Sequence, residues 1–179
     1  MNIKSRNILP IINGAAFTSC AVFNLSIFDY VAHTTLLTGL MISLPFIDRS
    51  WSIPELDINK TNLVRWLLCI SVAFLLITVN PDYASAALGT LLLTALPEEW
   101  FFRGYFLIQI EKAGLRANQA NIITSLFFTL LHLPTQGLIG LSVFIPSIIY
   151  GYVYQKTQDI VLVILLHAIS NIIFFIFIL

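Results

Sequence analysis

The chain has 179 residues, 58% of them hydrophobic and 10% charged, and nine Lys and Arg balance nine Asp and Glu to a net charge of zero. A soluble domain carries about 25% charged residues; this chain has fewer than half that share and a mean hydropathy of +0.90, which excludes an ordinary soluble globule and leaves one lipid-solvated domain over residues 1–179. With no net positive field the chain has nothing to attract nucleic acid, so membrane lipid is the expected surrounding partner.

About 30 Å of hydrocarbon needs roughly twenty apolar residues at 1.5 Å per residue. Runs of about that length occur seven times: Ile8–Phe28, Tyr30–Ile47, Leu63–Val79, Tyr83–Ile110, Gln119–Leu133, Leu138–Tyr154 and Ile160–Leu179. The expected fold is therefore all-α, a polytopic transmembrane helical bundle of about seven spans. Asp29 alone separates the first two runs, and the short third run carries Arg65, which can snorkel to the interface. Asp48–Asn62, with Pro54 and four charges besides Asp48, is the one connection long enough to carry structure of its own. Asn80–Asp82, Glu111–Asn118, Pro134–Gly137 and Gln155–Asp159 read as short turns that force antiparallel neighbours. Cys20 and Cys69 sit in separate apolar runs and suggest no disulfide. His33, near the outer end of the second run, reads as interfacial or structural.

Numbering the connections alternately puts Lys4 and Arg6, then Arg49, Lys60 and Arg65, then Lys112 and Arg116, then Lys156 on one side. The Lys/Arg excess marks the cytoplasmic side, so the N-terminus is expected inside and the C-terminus outside. Only Arg103 remains outside this count, and it falls within a span.

That span contains Pro97-Glu98-Glu99-Trp100-Phe101-Phe102-Arg103. Three ionisable residues in mid-span cost about 8–10 kcal/mol if uncompensated, so they are expected to face the bundle interior, to pair, and to mark function. Glu99 and Arg103 are four apart and share a helical face. Glu98 points elsewhere, without an obvious cation, and is the kind of carboxylate that serves as a general base. Pro97 should kink the helix and free the carbonyl of Leu93, which is tolerated at membrane depth only where a cavity or protein surrounds it. Polar residues also interrupt two later spans: His132 in the fifth, and His167 with Asn171, one turn apart, in the seventh. Counted from the cytoplasmic ends, Glu98 lies about 18 Å deep, His132 about 20 Å, His167 about 10 Å and Asn171 about 16 Å. Three helices thus bring four polar groups to one slab of the membrane.

In order along the chain, Glu98-Glu99-x-x-x-Arg103, Phe128-x-x-x-His132 and His167-x-x-x-Asn171 match the EExxxR, FxxxH and HxxxN signatures of the CPBP family, the CAAX proteases and bacteriocin-processing enzymes, which this chain therefore resembles. The matching region runs from Pro97 to Asn171, within a motif-bearing core of about 83–179. The resemblance implies an intramembrane endopeptidase of the glutamate type in a bacterial inner membrane, acting on a membrane-associated peptide or protein. By it, Glu98 and His132 would activate a water, His167 and Asn171 would hold the oxyanion, Glu99 and Arg103 would brace the site, and Phe128 would orient His132. It implies no cofactor. CAAX trimming, bacteriocin maturation or immunity, and removal of C-terminal sorting tags all occur in the family, and the residues do not choose among them.

Three other readings stand beside this one. Glu98, His132 and His167 could hold a zinc whose bound water attacks, although no HExxH is present and Asn171 suits an oxyanion better than zinc. The cluster could instead form a proton or ion path in a small transporter, which would favour inverted repeats with paired broken helices; one broken helix is visible. A non-catalytic immunity protein that sequesters a peptide is the third.

Overall fold

Eight α-helices, joined by 3-10 and π segments, follow one another through residues 30–177, the part of the chain that the computed structural model describes. They are α1 (Tyr30–Ser43), α2 (Lys60–Val79), α3 (Ala84–Gly89), α4 (Leu96–Phe101), α5 (Ile108–Lys112), α6 (Ala117–Gln136), α7 (Phe144–Thr157) and α8 (Ile160–Phe177). Every regular element among the described residues is helical, as the apolar runs require. The first expected span, Ile8–Phe28, lies outside the described residues, as do Cys20 and the side chain of His33.

Among the described residues three apolar segments are long enough to cross a membrane: Lys60–Val79, Ala117–Thr157 and Ile160–Phe177; Thr34–Ile47 is a shorter apolar stretch. The outer face of α2 is open, with Phe74 67% and Leu68 62% exposed, as suits a surface turned to lipid. Its inner face packs on α8, where the Trp66 indole donates to Asp159 Oδ2 at 2.8 Å. Asp159 also caps α8, its Oδ1 accepting from the Leu162 amide at 3.0 Å.

The Ala117–Thr157 segment folds back on itself. Gln155 Nε2 donates to the Ala117 carbonyl at 2.7 Å, and Asn121 Nδ2 to that of Ile148 at 2.9 Å, so α6 and α7 lie antiparallel. The reversal comes later than the sequence suggests. Helix α6 runs through Pro134 to Gln136, although proline there removes the donor to the Leu130 carbonyl. Gly137, at φ +58, then starts the 3-10 turn Gly137–Val143.

The fourth expected span, Tyr83–Ile110, departs furthest from a plain helix. Two π segments, Thr90–Ala95 and Phe102–Leu107, flank α4, where the sequence suggested a single kink at Pro97. A π turn accommodates an extra residue without breaking the helix and is common at functional sites. Each π segment has a carbonyl served from outside. The Leu93 carbonyl, which Pro97 was expected to free, accepts from Thr38 Oγ1 at 3.3 Å, and the Gly104 carbonyl accepts from Trp51 Nε1 at 2.7 Å.

Trp51 belongs to the long connection, which is irregular from 51 to 59 before Asn59 caps α2 through the Asn62 amide at 2.9 Å. Its first residues form a strap across the second π segment and α5. Asp48 is buried there and accepts from Gln109 Nε2 at 3.0 Å and from the Tyr105 hydroxyl at 3.2 Å. Burial raises the Asp48 carboxyl, but hydrogen bonds from the Ser50 hydroxyl and amide, Tyr105 and Gln109 outweigh it and hold it below its ordinary 3.8. A depressed carboxyl stabilises the fold above its ordinary value and loses that contribution as pH falls through the lower, folded one. The strap should therefore loosen below pH 3.8. Hydrogen exchange over residues 48–54 should accelerate there, and Asp48→Asn should remove that acid step; an unchanged step in the variant would assign it to another group.

Candidate active site

The buried core gathers around the second π segment, with Phe101, Phe102, Tyr105 and Phe106 inside it and Phe128, Tyr150 and Val163 closing from α6, α7 and α8. Into this apolar setting α4 and the π turn bring Glu99 and Arg103, both fully buried and paired at 2.8 Å. The four-residue spacing accounts for the pair. The second anchor of Arg103 lies 44 residues further on: Nη2 donates to the Ser147 carbonyl at 2.8 Å and to its hydroxyl at 2.7 Å. The guanidinium also stands over the Phe128 ring at 5.0 Å and the Tyr150 ring at 5.6 Å.

His167, buried on α8, joins the cluster through Nδ1, which donates to Glu99 Oε1 at 2.7 Å. A carboxylate accepts, so this bond sets the proton on Nδ1. Nε2 then faces Glu98, 3.7 Å from its Oε2, within ion-pair range but too far for a direct hydrogen bond. Glu98 thus has an ionisable neighbour that the sequence did not reveal. Its Oε2 is nevertheless buried without a hydrogen bond among the described residues. Tyr150 stacks on the other side of His167, the rings 5.3 Å apart and 22° from parallel.

Glu98 and His132 line one cavity of about 160 Å³, together with Thr38, Met41, Thr94 and Gln136. At about 30 Å³ per water, this is room for several. His132 is held by the turn beneath it: its Nδ1 lies 2.9 Å from the Phe128 carbonyl, and the Phe128 ring packs at 4.7 Å. Phe128 also touches His167, the ring centroids 5.9 Å apart. Asn171, one turn beyond His167, is half-buried.

His132 depends on the hairpin turn as well. A Cβ at Gly140 would lie 2.9 Å from both the carbonyl carbon and oxygen of His132, so the end of α6 must shift to admit one. Gly140→Ala should lower turnover by up to about a hundredfold through a displacement of this order, and cost about 1–3 kcal/mol of stability. Initial rates beside thermal unfolding would check this; wild-type turnover in the variant would separate His132 from the chemistry.

Among the described residues no three His, Cys, Asp or Glu side chains converge on a point that could hold an ion. Nδ1 of His167 is committed to Glu99 and Nδ1 of His132 to the Phe128 carbonyl, which leaves Nε2 of each ring open.

Sequence reasoning missed Ser147, Tyr150, Thr38 and Trp51. Ser147 and Tyr150 lie on α7 at a three-residue spacing that puts them on one face, but nothing local tells which helix that face meets.

A family model described as Rce1-like type II CAAX prenyl endopeptidase matches residues 80–173, which include all seven motif residues from Glu98 to Asn171. No curated protein and no solved structure matches the chain.

Proposed function

Given that the chain belongs to the Rce1-like family of type II CAAX prenyl endopeptidases, and is thus an intramembrane protease acting on a protein or peptide, we propose that Glu98 and His132 activate the hydrolytic water inside their shared cavity. Glu98 takes a proton from water as the oxygen attacks the scissile carbonyl, and the same proton then passes to the leaving amine. His132 orients the water, and Phe128 holds His132. The observation that carries this reading is that Glu98 and His132, 34 positions apart in the sequence, line one cavity.

His167 and Asn171 receive the oxyanion, a contribution of about 3–4 kcal/mol per donor. The Nδ1 contact with Glu99 leaves Nε2 as the ring nitrogen turned toward Glu98. Glu99 and Arg103 brace the cluster without meeting substrate. The wider frame of the proposal is a bundle of about seven spans in a bacterial inner membrane, N-terminus cytoplasmic, with a membrane-associated substrate.

The test is cleavage of candidate membrane peptides by the purified protein, with and without a strong chelator, wild type beside Glu98→Gln. Chelator-resistant cleavage that the substitution abolishes supports the reading. Chelator-sensitive cleavage restored by zinc would replace it with metal chemistry.

A further inference from the structure

The helix that carries Glu98 and Glu99 is not self-supporting in its observed form. It is interrupted on both sides of α4 by π turns, which are rare and need a reason to persist. The second is gripped by the strap that opens the long connection. Trp51 donates to the Gly104 carbonyl at 2.7 Å, and its ring meets Trp100 and Tyr105 edge-on at 5.4 and 6.2 Å. Asp48 and Ser50 hold Gln109 one turn further on, and the Ser50 carbonyl accepts from Lys112 Nζ at 3.3 Å. Pro54 lies so close that a Cβ at Gly104 would stand 3.2 Å from its Cγ, a contact that asks the strap to give by a few tenths of an ångström. Arg103 immediately precedes the gripped residue, and Glu99 is one turn earlier.

We infer that Trp51 is a positioning residue for the proteolytic site: by holding the Gly104 carbonyl it fixes the second π turn and so the aim of Glu98, Glu99 and Arg103. Trp51 lies outside residues 80–173, the segment that matches the family. The proposal rests on the catalytic reading above for what the aimed groups do, and on geometry alone for the grip. Trp51 does not line the cavity; it reaches the site through the Gly104 carbonyl and the Trp100 and Tyr105 rings.

The experiment compares wild type, Trp51→Phe and Gly104→Ala in the full-length protein, with Glu98→Gln as control. Trp51→Phe keeps an aromatic ring and deletes the donor; Gly104→Ala crowds the strap at Pro54 from the other partner. Both should accelerate hydrogen exchange over residues 98–108 by about tenfold or more. Both should lower kcat by about tenfold or more with KM within about twofold, since a misplaced general base loses rate rather than affinity. The limb of the kcat–pH profile should also move by about half a unit, because the neighbours of the base have shifted. A purely structural role would lower the active fraction alone, leaving the kcat of folded enzyme and the pH limb in place, and that result overturns the inference. Unchanged exchange over 98–108 overturns it as well. If Glu98→Gln still cleaves, the catalytic reading fails while exchange continues to judge the grip; if Glu98→Gln is dead and Trp51→Phe behaves as wild type, the inference alone falls.

Discussion

Glu98→Gln should lower kcat by about 10²–10⁴-fold, the range over which a positioned general base contributes, while KM and thermal stability should stay near wild type. The substitution is nearly isosteric and removes the basic oxygen from the cavity wall without emptying the wall. Stability is spared because Oε2 of Glu98 makes no hydrogen bond among the described residues, so no buried partner is orphaned. The same change at Glu99 behaves differently. Glu99 Oε1 accepts from both Arg103 and His167, so Glu99→Gln should disturb two helices at once and lose stability along with rate. Single-turnover rates beside unfolding midpoints separate the two glutamates. Equal loss of stability at both positions, or cleavage that persists in Glu98→Gln, would sink the assignment of Glu98 as the base.

The second large effect is on stability. Arg103→Met should cost about 3–5 kcal/mol, because it leaves the Glu99 carboxylate buried without its guanidinium. The favourable part of the pair is small beside the penalty for breaking it. The double variant Glu99→Gln with Arg103→Met should therefore recover much of the loss, since no charge then stays uncompensated. Arg103→Lys should rescue poorly: an ammonium presents no planar fork to satisfy Glu99 on one side and Ser147 on the other. Denaturant unfolding in a fixed detergent would check all three. A cost below about 1 kcal/mol for Arg103→Met would mean that water reaches the pair.

The sequence revealed most where the governing interactions are local. Four-residue spacing was enough to pair Glu99 with Arg103 and to seat His132 one turn above Phe128. Apolar run length located α2, α8 and the hairpin within a few residues, because lipid thickness imposes the length directly. Pro97 correctly marked the Leu93 carbonyl as one needing an outside donor. Sequence pattern carried no trace of the second π turn, however, since hydrophobic period barely differs between one wide turn and an ordinary one. Partners that meet only in the folded bundle were equally hidden: Ser147 for Arg103, His167 for both glutamates, and the strap across Gly104. Glu98 has no obvious cation on its own helix, and its neighbour His167 was hidden for the same reason. A spacing argument sees only its own helix, and the imidazole arrives from α8.

The order in which these partners are made by the ribosome has its own consequence. Glu99 and Arg103 enter the membrane on a helix whose buried charges are completed by Ser147 and His167, both synthesised later. Until α7 and α8 have followed, that helix carries exposed carboxylates and a half-satisfied guanidinium, and hydrocarbon penalises each of them. It therefore has reason to linger beside water or the insertion machinery until those helices arrive. The geometry around Glu99 is thereby tied to completed membrane assembly: a nascent or truncated chain lacking α8 lacks the imidazole that meets Glu99.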